Sequence, residues 1–319
     1  MSANYKIYSR ISSTNSGSSI TGDFYNIYRN LSIEECLSHV FTDDYIILFL
    51  WQSHRSVVIG KNQNPWNECQ VHKLAENKIE LARRISGGGT VFHDFGNLNF
   101  SYIVSKKNYD LIRQQRVIID ALKSLGITAG LNKRNDLLLK EKKISGNAFY
   151  HTKNFSLHHG TLLINSDLAL IKKILQPCLQ VSKIRGVKSV RSEVTNLDSV
   201  KKNITVQTVT DAIIKSFKKT YEIETSIKDP INDIGHPLYQ KIFDRQKSWD
   251  WIYARTPAFE ISLNHVMNQK NREKENIFNI QNGKIKNIFD KKPEYHILLK
   301  QYFKPYFIKY SDNLPLVSQ

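Results

Sequence analysis

The chain has 319 residues, of which 40% are hydrophobic, and a formal net charge of +17, so the sequence predicts one large globular domain or two unequal ones. The longest apolar run, YIILFLW at residues 45–51, is much shorter than the ~18 residues of a membrane helix, which argues against a membrane partner. The 46 Lys and Arg residues are spread along the chain without a zinc-finger, RRM or KH pattern, which argues against nucleic acid as a partner.

The N-terminus fits two interpretations. It contains Lys6 and Arg10, several serines and no acidic residue before Asp23, which is typical of a short mitochondrial presequence. The same segment also fits a strand, YKIYSRI, followed by a Ser/Gly loop, and no long amphipathic arginine-rich helix can be drawn in it. The three cysteines form no CxxC pair, which suits a reducing compartment. We favour the strand and a cytoplasmic location, with the mitochondrial matrix as the alternative.

Apolar runs and helical spacings alternate in the next part of the chain. Apolar residues at helical spacing predict a helix over residues 111–125, ended by Gly126, and a second helix after the N-cap candidate Thr205. This mixture of helices and strands predicts an α+β (mixed α/β) fold. Strands are predicted at six segments, residues 45–51, 56–60, 98–104, 136–140, 143–149 and 155–164.

The composition shifts after about residue 245. WDWIYARTPAF, residues 249–259, is rich in aromatic residues and contains a Thr-Pro break. Two apolar segments beyond it flank Asn282 and Gly283, a pair that favours a two-residue hairpin turn. We therefore expect a large domain that carries the chemistry over residues 1–247, followed by a linker and a small C-terminal accessory domain over residues 248–319.

The stretch RRISGGGTVFHD, residues 83–94, is the first candidate for a ligand site. Its three consecutive glycines allow backbone N–H groups to approach a ligand, and successive N–H groups form anion-binding nests in other proteins. Arg83 and Arg84 add positive charge that suits phosphate. The stretch contains neither a Walker motif nor GxGxxG, and taken alone it fits a flexible turn better than a ligand site.

Three other segments carry polar residues that are weak signals individually. Lys143 begins KISGNA and alone is typical of a solvated lysine in a basic chain. His158 and His159 are adjacent on a predicted strand, so their side chains should point to opposite faces, and we expect no joint metal coordination. Residues 186–197, GVKSVRSEVTNL, form a basic, serine-bearing loop.

Together these segments resemble the lipoate–protein ligase family, within the larger group that includes biotin ligases and octanoyltransferases. The family pattern Arg-Arg-x-Ser-Gly-Gly-Gly-[Ala/Thr]-Val-[Phe/Tyr]-His-Asp matches residues 83–94, and Lys-x-Ser-Gly-x-Ala matches residues 143–148. The His-His-Gly-Thr-Leu-Leu block matches residues 158–163, and residues 189–197 look like the adenylate-covering loop of the bacterial, ATP-using ligases. The resemblance runs from about residue 24 to residue 259.

The resemblance implies a two-step reaction. The carboxylate of lipoate first joins the α-phosphate of ATP, with release of pyrophosphate and with Mg²⁺ bridging the phosphates, and the lipoyl group then passes to a lysine of an acceptor protein. The implied acceptors are the acidic lipoyl domains of 2-oxoacid dehydrogenase acyltransferase subunits and the glycine cleavage H protein. The basic excess suits such partners, but a composition rich in Lys, Asn and Ile gives the same excess without any partner.

The resemblance also implies roles for individual residues. Lys143 is expected between the lipoate carboxylate and the phosphate, where an ammonium offsets the repulsion of two anions. Asp136 is the carboxylate that we expect to hold the metal. Apolar strands at residues 45–51 and 97–103 are expected to line a tunnel for the dithiolane chain. Two sets of residues are expected at the substrates: Arg84, Gly89, Thr90, Val91 and Phe92 at the nucleotide, and Ser86, Gly87 and Gly88 at the lipoate channel.

Two alternative functions remain open from the sequence. One is a lipoyl or octanoyl transferase without adenylation, which would use Cys178 as a nucleophile or take a preformed lipoyl-AMP. Cys178 lies near the position of the octanoyltransferase cysteine, but Leu179 stands where that family usually has glycine. The other alternative is a non-catalytic binding module in which the glycine stretch only turns the chain.

Overall fold

The computed structural model describes residues 3–11, 24–40, 44–176, 181–183, 186–234, 236–262 and 277–289. Its helices are α1 (Ile27–Val40), α2 (Pro65–Glu68), α3 (Val71–Glu76), α4 (Leu111–Ser124), α5 (Leu168–Ile174), α6 (Val206–Tyr221) and α7 (His236–Lys247). Its strands are β1 (Asn4–Arg10), β2 (Tyr45–Trp51), β3 (Ser56–Ile59), β4 (Glu80–Arg83), β5 (Val91–His93), β6 (Asn97–Ser105), β7 (Gly130–Leu131), β8 (Leu137–Leu139), β9 (Lys142–Ser145), β10 (Asn147–His151), β11 (Phe155–Leu163), β12 (Val181–Ser182), β13 (Ile227–Lys228), β14 (Phe259–Ser262), β15 (Ile277–Gln281) and β16 (Lys284–Phe289). Within these ranges, no helix combines the length and the apolar character that crossing a membrane requires.

Six strands form the central sheet in the order β10-β11-β6-β2-β1-β13. β1 pairs in parallel with β2 and β13, whereas the other neighbours are antiparallel. β2 lies inside the sheet, which explains its continuous apolar sequence, because a strand that is covered on both faces has no solvent-facing positions. The strands predicted at YKIYSRI and at residues 45–51 are confirmed.

The central sheet separates two hydrophobic cores, to which β2 contributes alternately. Phe49 belongs to the core formed with α1, β3 and β4, and Leu48 belongs to the core formed with α4 and α6. This alternation follows from the period of two along a strand, which sends successive side chains to opposite faces. The predicted mixed α/β fold class is confirmed.

Local capping signals set the bounds of the two helices that cover the second core. Asp110 accepts a hydrogen bond from Arg113 N at the start of α4, and Gly126 follows that helix with φ +77°. Thr205 accepts a hydrogen bond from Thr208 N at 3.1 Å at the start of α6. A side-chain oxygen that accepts a first-turn N–H stabilises a helix start, so the predicted limits at Gly126 and Thr205 are confirmed.

Two small sheets present the sequence motifs. β4, β3 and β5 form one sheet, and the glycine stretch connects β4 to β5. β7, β8 and β9 form a second, antiparallel sheet. The single strand predicted over residues 143–149 is wrong: the chain divides at Gly146 into β9 and β10, which belong to different sheets. The apolar pattern continues across the division, so the sequence did not reveal the change of sheet.

The last described strands form an antiparallel sheet in the order β12-β14-β15-β16. Asn282 and Gly283 join β15 to β16 with φ values of +50° and +65°, as a two-residue hairpin turn requires, and this prediction is confirmed. Phe259 of β14 packs against Trp66, with ring centroids 5.3 Å apart. The division into domains at residues 247 and 248 stays a prediction, and residues 263–276 and 290–319 lie outside the described residues.

Candidate active site

Arg83, at the end of β4, is fully buried and bonded to protein groups on both sides. Its guanidinium donates to three backbone carbonyls within residues 60–63. It also donates to the carbonyls of Trp251 and Ile252 and to the hydroxyl of Thr256. Burial lowers its pKa to about 9. Arg83 therefore ties the start of the glycine stretch to two distant segments, and protein groups engage the positive charge that the sequence suggested for phosphate.

Arg84 shapes the glycine loop, which we define as residues 84–90. Its guanidinium donates to Ser86 Oγ at 3.0 Å and to the carbonyls of Gly87 and Gly89 at 2.6 Å each. Burial lowers the pKa of Arg84 to about 10. Most of its N–H groups are thus engaged by the loop itself, and a direct contact between Arg84 and a nucleotide stays a prediction.

A buried polar chain anchors the glycine loop to α1. Ser86 Oγ lies 2.7 Å from His159 Nε2, and His159 Nδ1 lies 2.9 Å from Glu34 Oε1. Ser101 donates a further hydrogen bond to the same carboxylate oxygen. A carboxylate at Nδ1 places the proton there and leaves Nε2 to accept from Ser86. Ser86 therefore holds the loop in place, and its role at the lipoate channel stays a prediction.

The bend of the glycine loop requires glycine at two positions. Gly88 has a φ of +85°, a conformation that side-chain-bearing residues rarely adopt, and a Cβ there would lie 3.0 Å from Arg84 Nη2. A Cβ at Gly60 would overlap the carbonyl oxygen of Gly88. The sequence identified Gly88, whereas the requirement at Gly60 comes from a contact with a loop that is distant along the chain.

Lys143 of β9 forms an ion pair with Asp136, the residue that precedes β8. Lys143 Nζ lies 2.8 Å from Asp136 Oδ1, and the lysine side chain is 25% exposed whereas the aspartate side chain is 8% exposed. Asn132 Nδ2 donates to the other carboxylate oxygen at 3.1 Å. A Cβ at Gly146 would lie 3.0 Å from Lys143 Nζ, so the missing side chain leaves space for the ammonium.

Two cavities meet at Lys143. The smaller has a volume of about 300 Å³, and its walls include Leu31, Trp51 and Phe100. The larger has a volume of about 760 Å³, and its walls include Phe92. Trp51 of β2 and Asn99, Phe100 and Ser101 of β6 line the smaller cavity, and their role as a tunnel for the dithiolane chain stays a prediction. Eight residues line both cavities: Thr90, Val91, Lys143, Gly146, Thr161, Lys188, Ser189 and Val190.

The predicted loop residues divide between these cavities. Arg84, Gly88 and Gly89 line the smaller cavity, and Phe92 lines the larger one. Gly87 is exposed and Ser86 is buried, and neither contributes to the wall of these two cavities. The structure therefore brings most of the predicted residues to one place, while their contacts with substrates stay predictions.

His158 and His159 point to opposite faces of β11, as predicted. His158 is hydrogen-bonded to Gln114 and Asn147 on the side away from the glycine loop, and burial lowers its pKa to about 3. His159 lines the smaller cavity. No cluster of three metal-ligating side chains occurs among the described residues, and the two histidines do not form a joint site.

Residues 186–196, which we call the strap, cross the site between the two cavities. Lys143 N donates to Glu193 O at 2.8 Å, and Thr195 N donates to Lys143 O at 3.0 Å. Ser189, nearer the start of the strap, accepts a hydrogen bond from Thr90 N at 2.8 Å. The basic loop predicted at residues 186–197 thus joins Lys143 to the glycine loop.

Three polar residues of the site were not assigned a role from the sequence. Glu34 is bonded to His159, and Gln63 and Glu68 are bonded to Ser189. A carboxylate within the buried part of α1 is the only local signal for Glu34. Gln63 and Glu68 contact Ser189 across more than a hundred positions, and both also accept a hydrogen bond from Thr90 Oγ1. Cys178, the nucleophile of the transferase alternative, lies outside the described residues.

Comparison with known proteins decides the family. The description "lipoyl protein ligase A/B catalytic domain" applies to a family that matches residues 26–218 of this chain. The chain belongs to this family. It is 41% identical to lipoate-protein ligase A of Psychrobacter cryohalolentis over 242 residues, which cover 73% of this chain and 71% of that protein.

Solved structures of other ligases share the fold. P. falciparum LipL1 in complex with lipoate superposes with a TM-score of 0.67 at 30% identity, over 92% of this chain and 87% of that one. A lipoate-protein ligase A bound with ATP superposes with a TM-score of 0.63 at 26% identity, over 79% of this chain and 98% of that one. The enzyme class predicted from the sequence, a lipoate–protein ligase, is confirmed, and the non-catalytic binding module is set aside.

Proposed function

We propose that this ligase joins lipoate to ATP at the junction of the two cavities and then transfers the lipoyl group to a lysine of an acceptor protein. The observation that carries the proposal is the position of Lys143, whose side chain lines both cavities. A reaction between two anions needs a positive charge at the point where they meet. Lys143 stands at that point, between a narrow apolar channel and a larger chamber.

We assign the smaller cavity to lipoate and, where Arg84, Gly89 and Asp136 line it, to the reacting phosphate, and we assign the larger cavity to the rest of the nucleotide. Leu31, Trp51 and Phe100 give the smaller cavity an apolar wall that suits an alkyl chain and a dithiolane ring. Phe92 and Leu163 offer apolar surface in the larger cavity for an adenine base. The relatives solved with lipoate and with ATP support the binding of both substrates by this ligase, and the assignment of each to a cavity rests on the lining residues.

In the first step, a carboxylate oxygen of lipoate attacks the α-phosphorus of ATP. The bond from that phosphorus to the bridging oxygen breaks, and pyrophosphate leaves with the electron pair. The Lys143 ammonium stabilises the negative charge that gathers on the α-phosphate oxygens in the transition state. Asp136 orients the ammonium through the ion pair at 2.8 Å.

Mg²⁺ is proposed to act with ATP, and Asp136 is the residue that fits it. Mg²⁺ keeps several waters and phosphate oxygens as ligands and needs only one or two protein carboxylates. Asp136 lines the smaller cavity beside Lys143. Each of its oxygens accepts from one partner, Lys143 or Asn132, and retains a lone pair, and Arg134 Nε lies 3.8 Å from the second oxygen. When bound, the ion would neutralise part of the charge of the phosphates.

The glycine loop is proposed to hold the acyl-adenylate. Gly88, Gly89 and Thr90 bring the backbone to the cavity walls with little side-chain bulk. Arg84 acts on this site by fixing the carbonyls of Gly87 and Gly89, which directs the neighbouring peptide groups. Its buried charge adds a positive potential close to the phosphate.

In the second step, the acceptor's lysine amine attacks the acyl carbonyl carbon of lipoyl-AMP. The acyl–phosphate bond breaks, AMP leaves, and the amine loses a proton to form the amide. The acceptors we propose are lipoyl domains of 2-oxoacid dehydrogenase acyltransferase subunits and the glycine cleavage H protein. Cys36 and Cys69 are both free, which suits a reducing compartment, and we propose the cytoplasm, with the mitochondrial matrix as the alternative.

A ligase assay tests the proposed function. Purified enzyme with lipoate, ATP and Mg²⁺ should release pyrophosphate, and addition of a lipoyl domain should give an acceptor that is heavier by one lipoyl group. Transfer from synthetic lipoyl-AMP without pyrophosphate release from ATP would favour the transferase that takes a preformed adenylate. A thioester trapped on Cys178, or loss of acyl transfer in Cys178→Ser, would favour the thioester mechanism.

A further inference from the structure

The strap is held at both ends but has little apolar burial in between. Its later part is paired to β9 through the hydrogen bonds between Lys143, Glu193 and Thr195. Val187 and Val190, which flank its other attachment, are 53% and 68% exposed. Because burial of apolar side chains does little to fix this part, its position depends on polar contacts.

Ser189 makes most of those polar contacts, and Val187 N adds a hydrogen bond to Asn62 O at 3.2 Å. Its hydroxyl accepts hydrogen bonds from Thr90 N at 2.8 Å and from Gln63 Nε2 at 3.0 Å, and it donates to a carboxylate oxygen of Glu68. Ser189 N donates to the other oxygen of Glu68 at 3.3 Å. The carboxylate thus accepts from the strap with both of its oxygens. An amide in its place would offer only one accepting oxygen, because its NH₂ group only donates.

Glu68 stands on a well-supported element. Asn64 accepts from Trp66 N at 3.0 Å and caps α2, and Pro65 occupies the first turn. Trp66 is buried and packs against Phe259. The anchor is therefore fixed by the core, and the strap is the part that can move relative to it.

We infer that Glu68 is a positioning residue that latches the strap over the acyl-adenylate and retains this intermediate until the acceptor lysine arrives. The inference rests on the proposed function, because it concerns the adenylate made at the same site. Ser189 lies on the wall that both cavities share. Release of Ser189 from Glu68 would open this wall between the channel and the chamber. The intermediate could then leave or meet water, and the acyl–phosphate bond would be hydrolysed to lipoate and AMP.

The first test measures how well the enzyme retains the adenylate. Without acceptor, the wild type should release about one equivalent of pyrophosphate per enzyme and then stop. Glu68→Gln should continue to release pyrophosphate, at a rate raised about tenfold, as the loss of one hydrogen bond to a charged acceptor implies. Glu76→Gln is the matched control, because Glu76 is exposed at the end of α3 and outside both cavities, and it should behave as the wild type.

The second test measures the latch without reference to activity. Hydrogen exchange followed by mass spectrometry on the full chain should show faster exchange at residues 186–190 in Glu68→Gln, with unchanged exchange at residues 194–196, which stay paired with β9. Ser189→Ala removes the half-buried strap side of the contact, together with the hydrogen bonds from Thr90 N and Gln63 Nε2, and should give the same pattern if Glu68→Gln folds poorly. The double variant should be no worse than the more affected single variant, since both single changes break the same contact between Ser189 and Glu68.

The outcomes separate the inference from the proposed function. Absence of pyrophosphate release by the wild type would contradict the proposed function, whereas the exchange experiment would still report on the latch. Unchanged exchange at residues 186–190 in both single variants would overturn the inference. It would also be overturned if the variants exchanged faster but still stopped after about one equivalent of pyrophosphate, because the latch would then not retain the intermediate.

Discussion

Lys143 supplies a single positive charge to the site. Its ammonium has Asp136 as a counter-ion, space over Gly146, and a cavity on either side. The backbone of Lys143 is also fixed, because both its N–H and its carbonyl are hydrogen-bonded to the strap. The position of the charge is therefore set before substrates bind, which is the condition under which an electrostatic group lowers a barrier without reorganising.

Replacement of this lysine by alanine tests that role. Lys143→Ala should lower the rate of adenylation by about 10²–10³-fold, the typical effect of removing one preorganised electrostatic group. The measurement is pyrophosphate release at saturating lipoate and ATP, accompanied by a thermal unfolding curve to show that the variant is folded.

Lys142→Ala is the matched control for this change. Lys142 is the neighbouring residue of β9, is 49% exposed and pairs with Glu193 at 2.6 Å, so its removal deletes the same charge outside the cavities. We expect nearly wild-type pyrophosphate release from it. Equal losses in the two lysine variants would mean that net charge, rather than the position of Lys143, determines the rate.

Strand β11 contributes side chains to both faces of the central sheet. Its alternation places His159 against the glycine loop and His158 against α4, where Gln114 is a hydrogen-bond partner. Burial lowers the pKa of His158 to about 3, so the folded protein holds this ring neutral. In the unfolded chain the same ring takes up a proton near pH 6.5.

This difference predicts a pH dependence of stability. Because the folded pKa lies below the unfolded one, the unfolded state binds more protons between pH 6.5 and about 3, and the free energy of unfolding falls as the pH is lowered through that window. His158 alone contributes a slope of up to about 1.4 kcal/mol per pH unit. Chemical denaturation of His158→Gln between pH 7 and 4 should show a lower stability at pH 7 but a shallower slope; parallel curves would contradict the assignment.

Elements that are determined by adjacent residues could be predicted from the sequence. Features that depend on contacts between residues far apart along the chain could not. The continuous apolar run of β2 and the pair Asn282-Gly283 carry their structure in adjacent residues, and both predictions hold. The division at Gly146 was missed, because one apolar pattern continues through two sheets. The contact between Glu68 and Ser189 joins positions 121 residues apart, and neither residue type signals the other.

The net charge of the whole molecule, +17, is expected to affect how fast the enzyme meets its acceptor domain. A basic surface attracts an acidic lipoyl domain over a distance that salt shortens to about 8 Å at ~0.15 M. The kcat/KM of the transfer step should therefore fall as salt is raised. Adenylation should change less, because lipoate and ATP react between walls that exclude much of the solvent.

The two steps can be measured separately to check this. Pyrophosphate release without acceptor reports adenylation, and single-turnover transfer from preformed lipoyl-AMP reports the encounter. An equal response of the two steps to salt, or no response of transfer, would mean that the excess of Lys and Arg reflects the overall composition of the chain.

The hydrogen bonds of Arg83 have a consequence for the order in which the site is completed during synthesis. Arg83 precedes the glycine loop, but its partners Trp251 and Ile252 are made 168 and 169 residues later. Until they arrive, a guanidinium at the centre of the molecule lacks half of its acceptors, and burying it in that state costs several kcal/mol. A nascent chain that already contains every cavity-lining residue should therefore keep the β4 end open, and the ligand site should close only after Thr256 has left the ribosome.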